Sequence, residues 1–280
     1  MLHRTKATPW FQYSFVEEGG PVPGEKALCA GGVVASADAD EFLDRWLYDF
    51  QCGRVEFGAR LLAPMLTERN GIFSLASGTC AIEGALSQQL GAKIECSDIE
   101  RLEVADEALR LFPGLTGFHV FDAVRDQIPS CRAVLCFGLT SLLDNDAFQG
   151  LLSNAANALP RGGHIYLEIC VSQSLAARMF HNWYMPFEAA TCAFIKGLMV
   201  GRKFVRTTRH HGYFHTKDGV VNMAAAVGFR LVATARAGGS IDLRRSALFS
   251  RLWKLPGGKA LVRLLGAAMP YLTVLKLERV

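Results

Sequence analysis

The stretch Ile72-Phe73-Ser74-Leu75-Ala76-Ser77-Gly78-Thr79-Cys80 breaks a short apolar run into a turn of small residues. An amphipathic segment carrying Ile82, Ala85, Leu86 and Leu90 follows at once. Small residues at a strand-to-helix turn let a ligand approach the backbone, and the helix N-terminus beyond presents N–H groups with no intrahelical partner. Asp98 follows Gly78 by twenty residues. At that distance a second strand ends and a carboxylate can take ribose hydroxyls. The pattern predicts a nucleoside-cofactor pocket with an incomplete set of glycines.

Outward from this turn the pattern alternates. Apolar runs at Gly71–Leu75, Lys93–Ser97, Gly117–Phe121, Arg132–Phe137 and His164–Cys170 read as strands. Helical segments at 80–90, 100–111 and 144–159 lie between them. Leu159-Pro160-Arg161-Gly162-Gly163 ends a helix and turns into the fifth strand. Such a β-α-β-α rhythm predicts a parallel, doubly wound sheet covered on both faces. Upstream, residues 1–36 are rich in Gly and Pro with aromatics at Trp10, Phe11, Tyr13 and Phe15, and read as an irregular arm. Ser36 reads as the N-cap of a helix through Phe42, Trp46, Leu47 and Phe50, with a second helix over Val55–Met65.

The rhythm lapses over 171–215, which holds aromatics and four of the seven histidines and gives no strand signal. It resumes with a helix from Thr216 through Val227, a stop at Gly228, and two strands, Phe229–Ala235 and Ser246–Trp253, expected to pair antiparallel. The tail from Leu255 reads as a helix interrupted by Pro270.

Composition narrows the classes. Half the residues are hydrophobic and a fifth charged, enough for a sizeable core. The N-terminus has no apolar segment of the signal-peptide kind, and no uncharged run approaches the length of a membrane span. The eight cysteines form no C-x-x-C pair. Cys96, Cys136, Cys170 and Cys192 sit in apolar runs and are expected to be buried, reduced thiols of a cytoplasmic protein, with no metal bound. From Lys196 onward lie 16 of the 30 basic residues but 3 of the 26 acidic ones, leaving 14 against 23 before it. That asymmetry leaves open an acidic carrier protein, RNA or an anionic membrane surface as partner of the basic half, against solvated or internally paired arginines. Lys254, Lys259 and Arg263 beside the apolar stripe of the tail admit a membrane-peripheral helix.

Over roughly residues 37–254 the ordered segments resemble a class I S-adenosylmethionine-dependent methyltransferase, of the Rossmann-like superfamily. The first motif of that family is a strand, an acid and a Gly-x-Gly-x-Gly turn. In F-S-L-A-S-G-T-C, Ser74 stands where the acid is expected, Ala76 and Cys80 stand for the outer glycines, and Gly78 with Thr79 matches. C-S-D-I-E resembles the second motif, with Asp98 as the ribose acid and Ile99 beside the adenine. F-D-A resembles the third, with Asp122 and Ala123 near the adenine amino group. Phe137-Gly138 falls where the fourth strand opens onto the cofactor, A-L-P-R-G-G-H-I-Y-L resembles the turn into strand five, and V-G-F-R-L-V the entry into strand six. A nicotinamide-type Rossmann protein would want Gly-x-Gly-x-x-Gly, which S-G-T-C-A-I does not supply.

The resemblance implies an α/β, doubly wound, mostly parallel seven-stranded sheet with an antiparallel last strand and helical additions. Residues 1–70 would form an N-terminal arm and helical cap, 71–254 the methyltransferase-like domain with a lid or substrate insertion at 171–215, and 255–280 a helical extension. It implies S-adenosyl-L-methionine as cofactor, held by Ser74, Ala76, Ser77, Gly78, Thr79, Cys80, Asp98, Ile99, Asp122, Ala123, Phe137 and Gly138. Ala76 is compatible with this if its φ stays negative. Methyl transfer to oxygen profits from a base, so His181, His210, His211 and His215 are the candidates in the insertion. Trp183, Tyr184 and Phe187 suggest a small aromatic or lipid-like acceptor, or the packing of a lid. The run after strand four, C-F-G-L-T-S, lacks the Asn/Asp-Pro-Pro-aromatic motif of enzymes acting on exocyclic amines, which counts against DNA. The expectation from another class is a methyltransferase-like binding or scaffold protein.

Overall fold

The computed structural model describes residues 8–17, 35–49, 54–170, 179–201, 203–244, 246–267 and 270–280. Its strands are β1 (Thr8–Glu17), β2 (Ile72–Leu75), β3 (Ile94–Asp98), β4 (Leu115–Val120), β5 (Ala133–Cys136), β6 (His164–Cys170), β7 (Phe204–Phe214), β8 (Phe229–Gly238) and β9 (Pro270–Arg279). Seven of them form one sheet in the order β4-β3-β2-β5-β6-β9-β8. The pairs from β4 to β6 are parallel, whereas β9 runs antiparallel to both β6 and β8.

The central strands read as continuous apolar runs because both faces of the sheet are covered. Ile72, Ala133, Leu135, Tyr166 and Val274 enter one core. It is shared with helices α1 (Ala39–Leu43), α2 (Arg54–Leu62), α3 (Ala81–Leu90) and α4 (Glu103–Leu111). Their strand neighbours Phe73, Leu75, Val134, Cys136 and Leu275 enter the other, with α5 (Asn145–Ala158). The period-two alternation of a strand divides these residues between the two cores. α5 starts where the Asp144 carboxylate accepts the Ala147 N–H at 2.9 Å.

The rest of the chain departs from the expected course in several places. The last strand is not Ser246–Trp253 but β9, and it lies inside the sheet, so the tail is no helical extension. Residues 247–253 are instead helix α9, because the carboxylate of Glu188 accepts the N–H groups of Ala247 (3.2 Å) and Leu248 (3.1 Å) and the Ser246 hydroxyl. A carboxylate so placed satisfies orphan donors of the first turn. The helix expected in the tail is confined to α10 (Gly258–Ala267). The N-terminal arm carries strand β1, which pairs antiparallel with β7 inside the insertion as a separate two-stranded sheet. Before β7 the insertion forms α6 (Met185–Val200); α7 (Lys217–Ala226) and α8 (Ser240–Arg244) follow on either side of β8. The first helix is capped by Asp38, whose side chain accepts from Glu41 N at 2.9 Å, and not by Ser36, which is buried. Phe50 lies outside the described residues.

Cys80, Cys96, Cys131 and Cys136 are buried free thiols, but Cys192 is exposed on α6. Among the described residues, no three His, Cys, Asp or Glu side chains converge as metal ligands. No helix among them is long and apolar enough to cross a membrane.

Candidate functional site

The turn after β2 stands at the C-terminal ends of the parallel strands, where open α/β sheets take their ligands. Three alternate residues of it are left-handed: Ala76 at φ +53°, Gly78 at +53° and Cys80 at +58°. The condition that φ stay negative at Ala76 therefore does not hold. The backbone follows the course that three glycines would follow, with a methyl and a thiol carried on two of its left-handed positions. Each L-residue so held costs about 1–2 kcal/mol.

Hydrogen bonds from serines and acids brace this turn. Ser77 N donates to Ser97 O at 2.8 Å, and Ser97 Oγ donates to Ser74 O at 2.8 Å. Gly78 N donates to Asp98 Oδ2 at 2.8 Å, while Asp98 Oδ1 accepts from Ile99 N at 2.7 Å. Each carboxylate oxygen can accept a second bond. Asp98 thus holds the turn and keeps acceptor capacity on both oxygens.

Beneath the turn lies a residue the sequence reading passed over. Glu83, in the first turn of α3, is buried, and its Oε1 accepts the Ser74 hydroxyl at 2.6 Å. Burial pushes its carboxyl above the usual carboxylate range, against the pull of the Ser74 bond. Position 74 lacks the acid of the family pattern, yet a carboxyl reaches that position from nine residues downstream. The signal for it was an acid three places after the turn's last residue, where a helix start commonly carries one for capping alone.

The surface beside the turn is open. A Cβ on Gly78 or on Gly138 would meet nothing within 4 Å, so both backbones face open space. Ile99 is 69% exposed and Val124 45% exposed, two apolar side chains bared at neighbouring strand ends. Phe121 N donates to Asp98 O at 2.8 Å and ties those ends together. Asp122 Oδ1 accepts from Val124 N at 2.9 Å and so fixes the loop that carries Val124. Ala123 packs on the second core, and Thr79 is buried. Phe137 is also buried and lies against Gly58 of α2.

Of the four histidines, His215 alone has a described side chain. It is buried, and its Nε2–H faces the carbonyls of Leu143 (2.9 Å) and Thr140 (3.1 Å), with its ring 4.9 Å from that of Phe148. Burial lowers its pKa. His215 therefore stays neutral and pins the end of the insertion to the loop after β5. Gly212 makes the same junction closer, since a Cβ there would stand 2.1 Å from Ser141 O. His210 pairs with Phe11, and His211 is the extra residue opposite the Trp10/Phe11 step, a bulge in β7. His181 lies in the helical turn Phe180–Tyr184. Trp183 and Phe187 are exposed.

A histidine whose folded pKa lies below its ordinary 6.5 contributes stability above that value and loses it as pH falls. The difference in urea stability between wild type and His215→Gln should therefore slope against wild type as pH falls below about 6.5. A difference that does not vary with pH would remove His215 from this role. At the turn, Ala76→Gly should stabilise by about 0.5–1 kcal/mol in urea unfolding, the relief of left-handed strain less the added freedom of the unfolded chain. A loss of stability would contradict the backbone course.

No protein-family model matches the chain, and no curated protein matches its sequence. Solved structures do match its fold. A cyclopropane synthase from Mycobacterium tuberculosis aligns over 85% of this chain and 88% of its own, at 10% identity and a TM-score of 0.53. The pyocyanin biosynthetic protein PhzM aligns over 87% and 62%, at 16% identity and 0.51. The 1,6-didemethyltoxoflavin-N1-methyltransferase of Burkholderia thailandensis, solved with bound 1,6-didemethyltoxoflavin and S-adenosylhomocysteine, aligns over 86% of both chains, at 14% identity and 0.50. The fold is that of the class I methyltransferases. The strand order, with its antiparallel β9 between β6 and β8, agrees with this.

Proposed function

We propose that the protein is an S-adenosylmethionine-dependent methyltransferase acting on a small, aromatic or lipid-like acceptor, with oxygen as the favoured atom. The observation that carries this reading is the left-handed turn 76–80 held against Asp98 beside the bared Ile99 and Val124. Asp98 would take the ribose hydroxyls, Ile99 and Val124 would flank the adenine, and Gly78 would let the backbone approach the donor. When bound, the cofactor supplies a methyl group already activated on a sulfonium, so the chain has to orient the acceptor and keep water out. A base of the chain would take the proton of the acceptor oxygen as that oxygen receives the methyl group. His181, His210 and His211 remain the candidates for that base. His215 is a positioning residue, its Nε2–H committed to two carbonyls.

We further assign Glu83 to the donor's cationic end, as the carboxyl standing in for the acid absent at Ser74. A carboxyl with a raised folded pKa contributes its full stability below its ordinary 4.5 and loses it as pH rises through the folded value. Glu83→Gln should therefore remove a decline in apo stability above pH 4.5 and weaken donor binding about tenfold. Unchanged donor affinity would leave Glu83 a buried structural carboxyl.

Thermal shift tests the reading as a whole. S-adenosylmethionine and its demethylated product should each raise the melting temperature at submillimolar concentration. No shift by either at millimolar levels favours a scaffold protein on the same fold.

A further inference from the structure

Helices α6, α8, α9 and α10 share a small core of their own, built on Phe180, Leu243 and Val262 with Tyr184, Phe249 and Trp253 packed against it. The outer surface of that layer is unlike the rest of the molecule. On α10, Gly258, Val262 and Gly266 face inward at helical spacing, while Leu261, Leu264 and Leu265 are exposed, Leu264 at 72%. Leu248 and Leu255 of the preceding segment are exposed as well. Beside these leucines stand Arg251, Lys254, Lys259 and Arg263, all exposed and none paired with a described carboxylate. Arg263 lies 5.6 Å over the Trp253 ring. Between Asp242 and Glu278 the chain contains seven Lys and Arg and no acid. Three other cations of the basic half are used internally: Lys276 donates to Met65 O and Thr67, Arg279 to Val227 O and Gly228 O, and Arg230 pairs with Glu278.

We propose that α9–α10 docks on an anionic lipid bilayer, lying in its interface with the leucines inserted and the four cations against the headgroups. Charge complementarity decides between occupants. A second copy would bring the same cations against themselves. An anionic bilayer meets them with opposite charge, and their long stems can rest along the apolar boundary. A neutral protein partner would account for the leucines and leave the acid-free run of 35 residues without a role. Trp183 of the turn Phe180–Tyr184 and Phe187, Phe194, Leu198 and Met199 of α6 are exposed as well, on a segment whose start joins the same small core. No described helix is able to cross the membrane, so the contact is peripheral. This surface does not depend on donor binding, and its failure would leave the methyl-transfer reading intact.

Co-sedimentation of the full chain with vesicles tests the proposal. Protein should pellet with phosphatidylcholine vesicles doped with phosphatidylglycerol, and pellet little with phosphatidylcholine alone. Lys254→Glu combined with Lys259→Glu should weaken binding about tenfold or more, since each cation at the surface contributes about fivefold. Leu261→Asp with Leu264→Asp, both at exposed positions, should abolish it with the melting temperature preserved. Equal pelleting with both vesicle types, or a charge variant that binds like wild type, overturns the proposal. So does a dimer in size-exclusion chromatography that the leucine variant dissociates while wild type ignores vesicles.

Discussion

Asp98→Ala should weaken S-adenosylhomocysteine binding by about a hundredfold or more in titration calorimetry. Two hydrogen bonds from ribose hydroxyls to a charged acceptor contribute about 1.5–3 kcal/mol each, and tenfold in affinity corresponds to about 1.4 kcal/mol. The same change also frees Gly78 N–H and Ile99 N–H from their acceptor. Because Asp98 is only half-buried, the stability loss should stay near 1 kcal/mol, so a large affinity loss in a folded variant separates binding from unfolding. Circular dichroism on the same sample checks that the sheet survives. Retained affinity within a factor of about three would remove Asp98 from the donor site.

The second large effect concerns β9. Leu275 is fully buried between β6 and β8, paired with Leu167 on one side and Thr234 on the other. A carboxylate there would stand unpaired inside the second core. Leu275→Asp should cost more than about 4 kcal/mol and leave the chain largely unfolded. Leu265→Asp, ten residues upstream on exposed α10, should change stability by no more than about 0.5 kcal/mol. Equal tolerance of the two changes would mean that the tail is the helical extension its sequence suggests. The milder Leu275→Ala should still lose about 2–5 kcal/mol in urea unfolding.

That contrast marks where the sequence could be read and where it could not. Strands β2 to β6 were legible because each is a short apolar run bounded by turn residues, and their parallel order follows from the helices between them. β9 was hidden because Leu272, Val274 and Leu275 prolong the stripe that begins at Leu261, and a strand buried on both faces has no alternation to reveal it. Helix α9 reads as a strand in the sequence although Ser246 caps it locally, its hydroxyl accepting from Phe249 N; the second cap, Glu188, lies 59 residues from Ala247 and has no local signal. The arm β1 could not be seen from local pattern, since its partner, β7, lies in the distant insertion.

Within the candidate site, Asp98 stood out by its spacing from Gly78, and Asp122 by the resemblance of F-D-A to the third motif. The left-handed backbone at Ala76 and Cys80 did not, because neither residue type announces a positive φ. Glu83 was invisible for the opposite reason: an acid in the first turn of a helix is commonplace. Its meaning comes from the Ser74 hydroxyl 2.6 Å away, a contact between residues that sequence reading treats as separate.

A crystal structure of the protein with S-adenosylhomocysteine is the most direct test that the turn 76–80 is a methyl-donor site. Density is expected along Ala76–Cys80, with the ribose hydroxyls on the Asp98 carboxylate and the adenine between Ile99 and Val124. The opposite end of the sheet provides the contrary outcome. A groove of about 420 Å³ lies there, lined by Ser87, Gly91, Lys93, Phe112 and Gly114. Ligand in that groove, or none at all at saturating concentration, would contradict a donor site at Gly78.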